Sequence, residues 1–218
     1  MHRLVLESGP GQFRRVLCLG AHSDDIEIGC GGAILRVLRE VPDLDFRWVV
    51  FAVDQEVRQK EARRSADYFL RGAAKKDIQV RDFRTSFLPY LGTEIKEVFE
   101  EIKEEFKPDL IFTHYRYDLH QDHRLISDLT WNTFRNHLIL EYEIPKYDGD
   151  LGAPNFFVDL DEQICRSKIS ALFRFFRTQQ SKPWFDEEIF WSLLRLRGME
   201  SGSSKKYAEA FYCRKIVV

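Results

Sequence analysis

Three ionisable side chains, His22, Asp24 and Asp25, fall directly after the apolar run RVLCLG at 15–20. A second cluster, His120, Asp122 and His123, follows the apolar run DLIFT at 109–113, with His114 just before it. Burying such groups without partners is costly, and a bound cation removes much of that cost. Imidazole and carboxylate are both good zinc ligands. His22 and Asp25 stand three residues apart and can turn towards one ion at a tight strand-to-helix turn. Asp24, between them, is then placed to accept a proton from water. One histidine of the second cluster would complete three protein ligands, and three ligands with an open position are the pattern of catalytic zinc. Each cluster alone has a plainer reading: Asp24 or Asp25 as a helix N-cap and His22 as a turn residue. The glycines at 29, 31 and 32 lie out of G-x-G-x-x-G order and inside the expected helix, so they read as points of close backbone approach rather than a dinucleotide fingerprint.

Positioning two such clusters requires that their strands lie side by side. Strands are expected at 15–20, 46–53, 77–83 and 109–113. Helices are expected at 26–39, 56–71, 93–106 (with Thr93 as N-cap) and 122–140. This alternation predicts βαβ units: an α/β, Rossmann-like open sheet, mostly parallel, with helices on both faces. In the common doubly wound order the first and fourth strands are neighbours, and ligands bind beyond their carboxyl ends. The two clusters, far apart in sequence, are therefore expected to meet. Residues 1–140 read as the parallel core and 141–218 as a C-terminal elaboration of a single domain. The elaboration is expected to hold strands at 142–147, 155–159 and 208–218, helices at 162–177 and 187–197, and a flexible polar stretch at 198–206.

Composition narrows the function classes. The chain has 218 residues, 31% of them charged, and a net charge of -2. With acids and bases interspersed, neither nucleic acid nor an anionic membrane is indicated as a partner. No apolar run is long enough to span a bilayer, and residues 1–15 carry no signal-peptide core. The four cysteines, Cys18, Cys30, Cys165 and Cys213, form no C-x-x-C pair. Their pattern suits a reducing cytoplasm rather than a disulfide framework.

The segment AHSDDIEIGCGG at 21–32, together with HQDH at 120–123, resembles the LmbE-like or PIG-L family of metal-dependent N-acetylglucosaminyl deacetylases. Arg58-x-x-Glu61 and the YAEAF run at 207–211 are similar to further family patterns, so the resemblance touches most of the chain. It implies His22, Asp25 and His123 as ligands to one zinc ion per chain and Asp24 as general base. It implies that His120 steadies the oxyanion or protonates the leaving amine, and that Asp122 orients a histidine. The substrate implied is a small N-acetylated sugar or sugar conjugate. Three positions depart from the family pattern: Ser23 stands for the usual Pro, Ile26 for a common Glu with Glu27 one residue late, and Phe176 and Thr178 replace polar positions in a segment expected to face substrate.

Arg58 can reach substrate or pair with Glu61. Tyr115, Arg116 and Tyr117 can line the crevice or brace its loop, and His114 can support a ligand or simply end its strand. His2 and His137 carry no pattern. The aromatic stretch at 173–191 suits core packing, with a substrate lid or a homo-oligomer contact as alternatives. Two other functions fit the same residues: a metal-dependent phosphoesterase, which often holds two ions, and a non-catalytic binding module.

Overall fold

The computed structural model describes residues 14–216; His2 and the end of the expected last strand lie outside them. Among these residues, seven strands form one sheet in the order β3-β2-β1-β4-β5-β7-β6. In chain order these are β1 Arg15–Gly20, β2 Asp45–Val50, β3 Lys75–Val80, β4 Leu110–His114, β5 Leu138–Tyr142, β6 Phe156–Leu160 and β7 Tyr207–Cys213. The first five are parallel, and β7 runs antiparallel between β5 and β6. The helices are α1 Asp25–Glu40, α2 Glu56–Phe69, α3 Gly92–Glu105, α4 Gln121–Thr133, α5 Glu162–Phe175 and α6 Glu187–Glu200. Two apolar clusters pack on the sheet. One joins β1 and β2 residues such as Val16 and Trp48 to α1, α5 and α6, and the other joins Leu17, Leu19 and Phe51 to α3 and α4. Strand residues alternate between the two, as a sheet covered on both faces requires.

β1 and β4 pair directly in parallel, with Val16 opposite Leu110 and Cys18 opposite Phe112. The turn after each strand therefore opens at the same edge, at the reversal of strand order.

Several expected boundaries move. The helix expected at 122–140 ends at Thr133, where Phe134 leaves helical geometry and the His137 amide closes a turn on the Phe134 carbonyl. LILEY at 138–142 then pairs with β4 as a central strand. Its apolar residues suit a helix face or a buried strand equally, and sheet pairing decides between them. This also moves the strand expected at 142–147: residues 143–155 connect β5 to β6. The second strand ends at Val50, and the third begins at Lys75 rather than 77. Thr93 is not the cap of α3, because a 3-10 turn at Leu88–Leu91 runs straight into Gly92. The stretch at 198–206 begins inside α6, which continues to Glu200.

Two contacts fix α1, the helix that opens with the Asp pair. A Cβ at Gly29 would lie 2.1 Å from the Tyr142 ring, so only glycine lets α1 sit this close to β5. Further along, the buried Glu209 carboxylate of β7 accepts the Gly32 and Ala33 amides and pairs with buried Lys168 of α5 at 2.7 Å. The Lys168 ammonium also donates to the Ile28 carbonyl. Phe176, Phe185 and Phe190 from the aromatic stretch are buried in the first apolar cluster. No helix among the described residues is long and apolar enough to cross a membrane.

Gly29→Ala should lower stability by about 1–3 kcal/mol, the usual cost of overpacking, seen as a lower urea midpoint. An unchanged midpoint would mean that α1 can draw away from β5 freely.

Candidate metal centre

The turn after β1 places His22 and Asp25 against the start of α4. His22 Nδ1 lies 3.1 Å from His123 Nε2 and 3.4 Å from Asp25 Oδ2, and His123 Nε2 lies 3.6 Å from that same oxygen. Three ligand atoms about 2.0–2.1 Å from one tetrahedrally bound zinc would stand roughly 3.3–3.4 Å apart. The donor types and the spacing therefore both fit a zinc ion.

Hydrogen bonds behind the cluster set which ring nitrogens face it. The far nitrogen of His22, Nε2, meets Asp122 Oδ2 at 3.0 Å, and the far nitrogen of His123, Nδ1, meets Asp118 Oδ2 at 2.9 Å. Carboxylates behind metal-bound histidines commonly fix tautomer and orientation in this way. Asp122 is itself held from the β3–α3 connection, accepting the Ser86 amide at 2.7 Å and the Leu88 amide at 3.2 Å. The site thus draws on the connections after β1, β3 and β4.

The charges of the cluster settle on one another, and His22 carries a proton that an incoming cation must displace. Burial disfavours a charged His22, but Asp25 and Asp122 outweigh it and raise its pKa to about 9. Burial would raise the Asp25 pKa, yet His123, His114 and His22 together hold it well below the usual carboxylate range. His123 goes the other way: burial and His114 lower it to about 3.

Other groupings of potential ligands are possible, Asp25 with His114 and His123 or His22 with His120 and His123, and both share His123. His114 is fully buried, and its Nε2 already accepts the Ala21 amide at 2.9 Å. That leaves it a supporting place, stacked on His123 with ring centroids 4.0 Å apart.

Asp24 occupies the N-cap position of α1 but makes no side-chain cap bond. Its Oδ1 lies 3.3 Å from Arg58 Nη2, while its buried Oδ2 has no partner among the described residues. Burial raises its pKa against the pull of Arg58. An unpaired buried carboxylate oxygen is expensive in a purely structural role, and it suits a proton acceptor. Ser23, at the departing position, turns out to accept from Arg58 Nη2 at 2.6 Å. Arg58 therefore braces the Asp24 turn instead of pairing with Glu61, which accepts the Thr178 amide and hydroxyl.

His120 is half-buried, with its ring centroid 4.8 Å from that of His22 and 4.5 Å from that of His123. The Asp122 amide donates to its Nδ1 at 3.2 Å, which places the ring proton on Nε2. Burial and His22 lower its pKa. Tyr115 and Arg116 lead elsewhere: Tyr115 stacks on Tyr212 of β7, and the Arg116 guanidinium lies 3.6 Å from Asp128 of α4. Exposed Tyr117 sits beside Arg214. Glu27 is fully buried, with neither carboxylate oxygen partnered among the described residues, and burial pushes its pKa well up.

Sequence reasoning passed over Asp118. Its signal was present, an acid two residues before His120, but it was one of 35 acidic residues and lay in a loop whose path was not yet known.

Residues 17–134, more than half the chain, match the model of a family described as PIG-L, GlcNAc-PI de-N-acetylase. Among solved structures, N,N'-diacetylchitobiose deacetylase from Pyrococcus horikoshii is 21% identical, with a TM-score of 0.66 over 92% of this chain and 84% of that one. A zinc-inhibited form of teicoplanin deacetylase is 16% identical, with a TM-score of 0.69 over 92% and 97%. The 4-carboxy-2-hydroxymuconate hydratase of Pseudomonas putida is 15% identical, with a TM-score of 0.71 over 94% and 98%. At these identities the three structures show a shared fold.

Asp122→Ala should weaken zinc binding about 10–100-fold by freeing His22, measured by competition with a chromophoric chelator. Wild-type affinity in that variant would mean that Asp122 does not orient a ligand.

Proposed function

Because the chain belongs to the PIG-L family of GlcNAc-PI de-N-acetylases, we propose that it is a zinc-dependent hydrolase removing an N-acetyl group from an amino sugar or related small polar molecule. The observation that carries this reading is the pairing of the His22, Asp25 and His123 donor atoms with the partnerless Oδ2 of Asp24. In this reading those three residues hold one zinc ion. Zinc bound there would supply Lewis acidity towards the acyl carbonyl and the attacking water.

The chain's own residues then account for the proton movements. Asp24 Oδ2 takes a proton from water as the water oxygen bonds to the acyl carbon. Arg58, itself seated on Ser23 Oγ, holds the other oxygen of the carboxylate, so the accepting oxygen stays in place. His120, neutral and with its proton on Nε2, donates a hydrogen bond to the developing oxyanion. As the C–N bond breaks, Asp24 returns its proton to the departing nitrogen, and the second proton of the water passes from the acid so formed to the amine, leaving acetate and an ammonium.

The hydratase on the same fold shows why fold alone does not choose the reaction. The family match and the ligand-plus-base arrangement favour deacetylation. An amino-sugar substrate is in keeping with the chitobiose named for one structural neighbour.

Asp24→Asn should keep zinc at one equivalent and lose about 10²–10⁴-fold in turnover, the usual contribution of a general base. His22→Ala and His123→Ala should lose both zinc and turnover. Metal content by emission spectroscopy, with amine release assayed alongside, separates these outcomes. Near-normal turnover in Asp24→Asn would remove the base assignment.

Across a panel of N-acetylated free sugars, glycosides and nucleotide sugars, at least one should release acetate and amine in equal amounts. That release should stop on chelation and return with one equivalent of zinc. Release that survives chelation would contradict a zinc-dependent reaction.

A further inference from the structure

The connection between β5 and β6 returns to the metal centre through one lysine. Lys146 Nζ lies 3.0 Å from Asp118 Oδ2, the same oxygen that accepts His123 Nδ1–H at 2.9 Å. The Lys146 side chain is 11% exposed and that of Asp118 only 2%. Lys146 also pairs with Asp150, whose Oδ2 accepts the Leu119 amide at 2.7 Å. The other oxygen of Asp118 accepts the His120 amide at 2.8 Å. One ammonium thus sits between two carboxylates, and each carboxylate grips the turn at 118–120 that leads into α4.

We propose that Lys146 is a positioning residue for the metal centre, holding Asp118 where it fixes the orientation of the His123 ring. The proposal rests on the reading of His123 as a zinc ligand. An ionised carboxylate as buried as Asp118 needs a compensating charge, and a neutral imidazole N–H supplies only a hydrogen bond. Without the ammonium, Asp118 is drawn towards water. That loosens its hold on His123 Nδ1–H and lets the ring turn. Lys146 could instead act only as a staple for the loop at 143–155. That role would run through Asp150 and Leu119, whereas positioning runs through Asp118.

A double-mutant cycle on zinc affinity separates the two, using Lys146→Met, Asp118→Asn and their combination, with Asp150→Asn alongside. Lys146→Met is expected to bind zinc about 10-fold more weakly, within the range for residues behind a ligand. The combination should bind no more weakly than Asp118→Asn alone, because both changes break one chain of contacts. The visible spectrum of the cobalt-loaded Lys146→Met protein should shift from that of wild type, and that of Asp150→Asn should not. If Lys146→Met fails to fold, Lys146→Gln, which keeps a donor but no charge, takes its place with the same expected loss. Unchanged affinity in the Lys146 variant, losses that multiply in the combination, or an effect carried by Asp150→Asn instead would overturn the proposal. Wild-type protein that binds no zinc would instead remove the ligand reading of His123.

Discussion

The cost of holding ionised groups away from water governs this structure. Asp24, Asp25, Asp118 and Asp122 are all buried within one constellation of histidines, at the place where two parallel strands end. Folding alone does not favour such a concentration, since each unpaired carboxylate or imidazolium there costs several kcal/mol. The constellation is tolerable because most of its carboxylates are paired, Asp25 and Asp122 with His22 and Asp118 with His123 and Lys146. A divalent ion that displaces the His22 proton would convert the remaining expense into binding energy.

The remainder of the fold can be understood as support for that arrangement. β1 and β4 bring the two polar turns together. Gly29 and the Lys168–Glu209 pair press α1 onto the sheet, so Asp24 and Asp25 enter the site from a fixed direction. The connections after β3 and β5 each send a contact to the back of a histidine: amides at Ser86 and Leu88 reach Asp122, and Lys146 reaches Asp118. Side chains braced from behind in this way need little reorganisation when an ion or substrate arrives.

Much of this was legible in the sequence because the chemistry sits next to strong local signals. RVLCLG and DLIFT are short apolar runs followed at once by acids and histidines, so both turns could be located before their meeting was seen. The fifth strand was hidden because LILEY continues the apolar spacing of the preceding helix, and only pairing with β4 distinguishes the two. Asp118 and Lys146 were hidden for a different reason. Their roles depend on loop paths, which local patterns do not encode. Arg58 was visible as a candidate, but its grip on Ser23 and Asp24 rather than Glu61 depends on how α2 lies over the first turn.

Crystals of the zinc-loaded protein, measured at the zinc absorption edge, should show a single strong anomalous peak within coordination distance of His22 Nδ1, an Asp25 carboxylate oxygen and His123 Nε2. A peak elsewhere, or two peaks of similar height in the pocket, would contradict a single zinc ion held by those three residues.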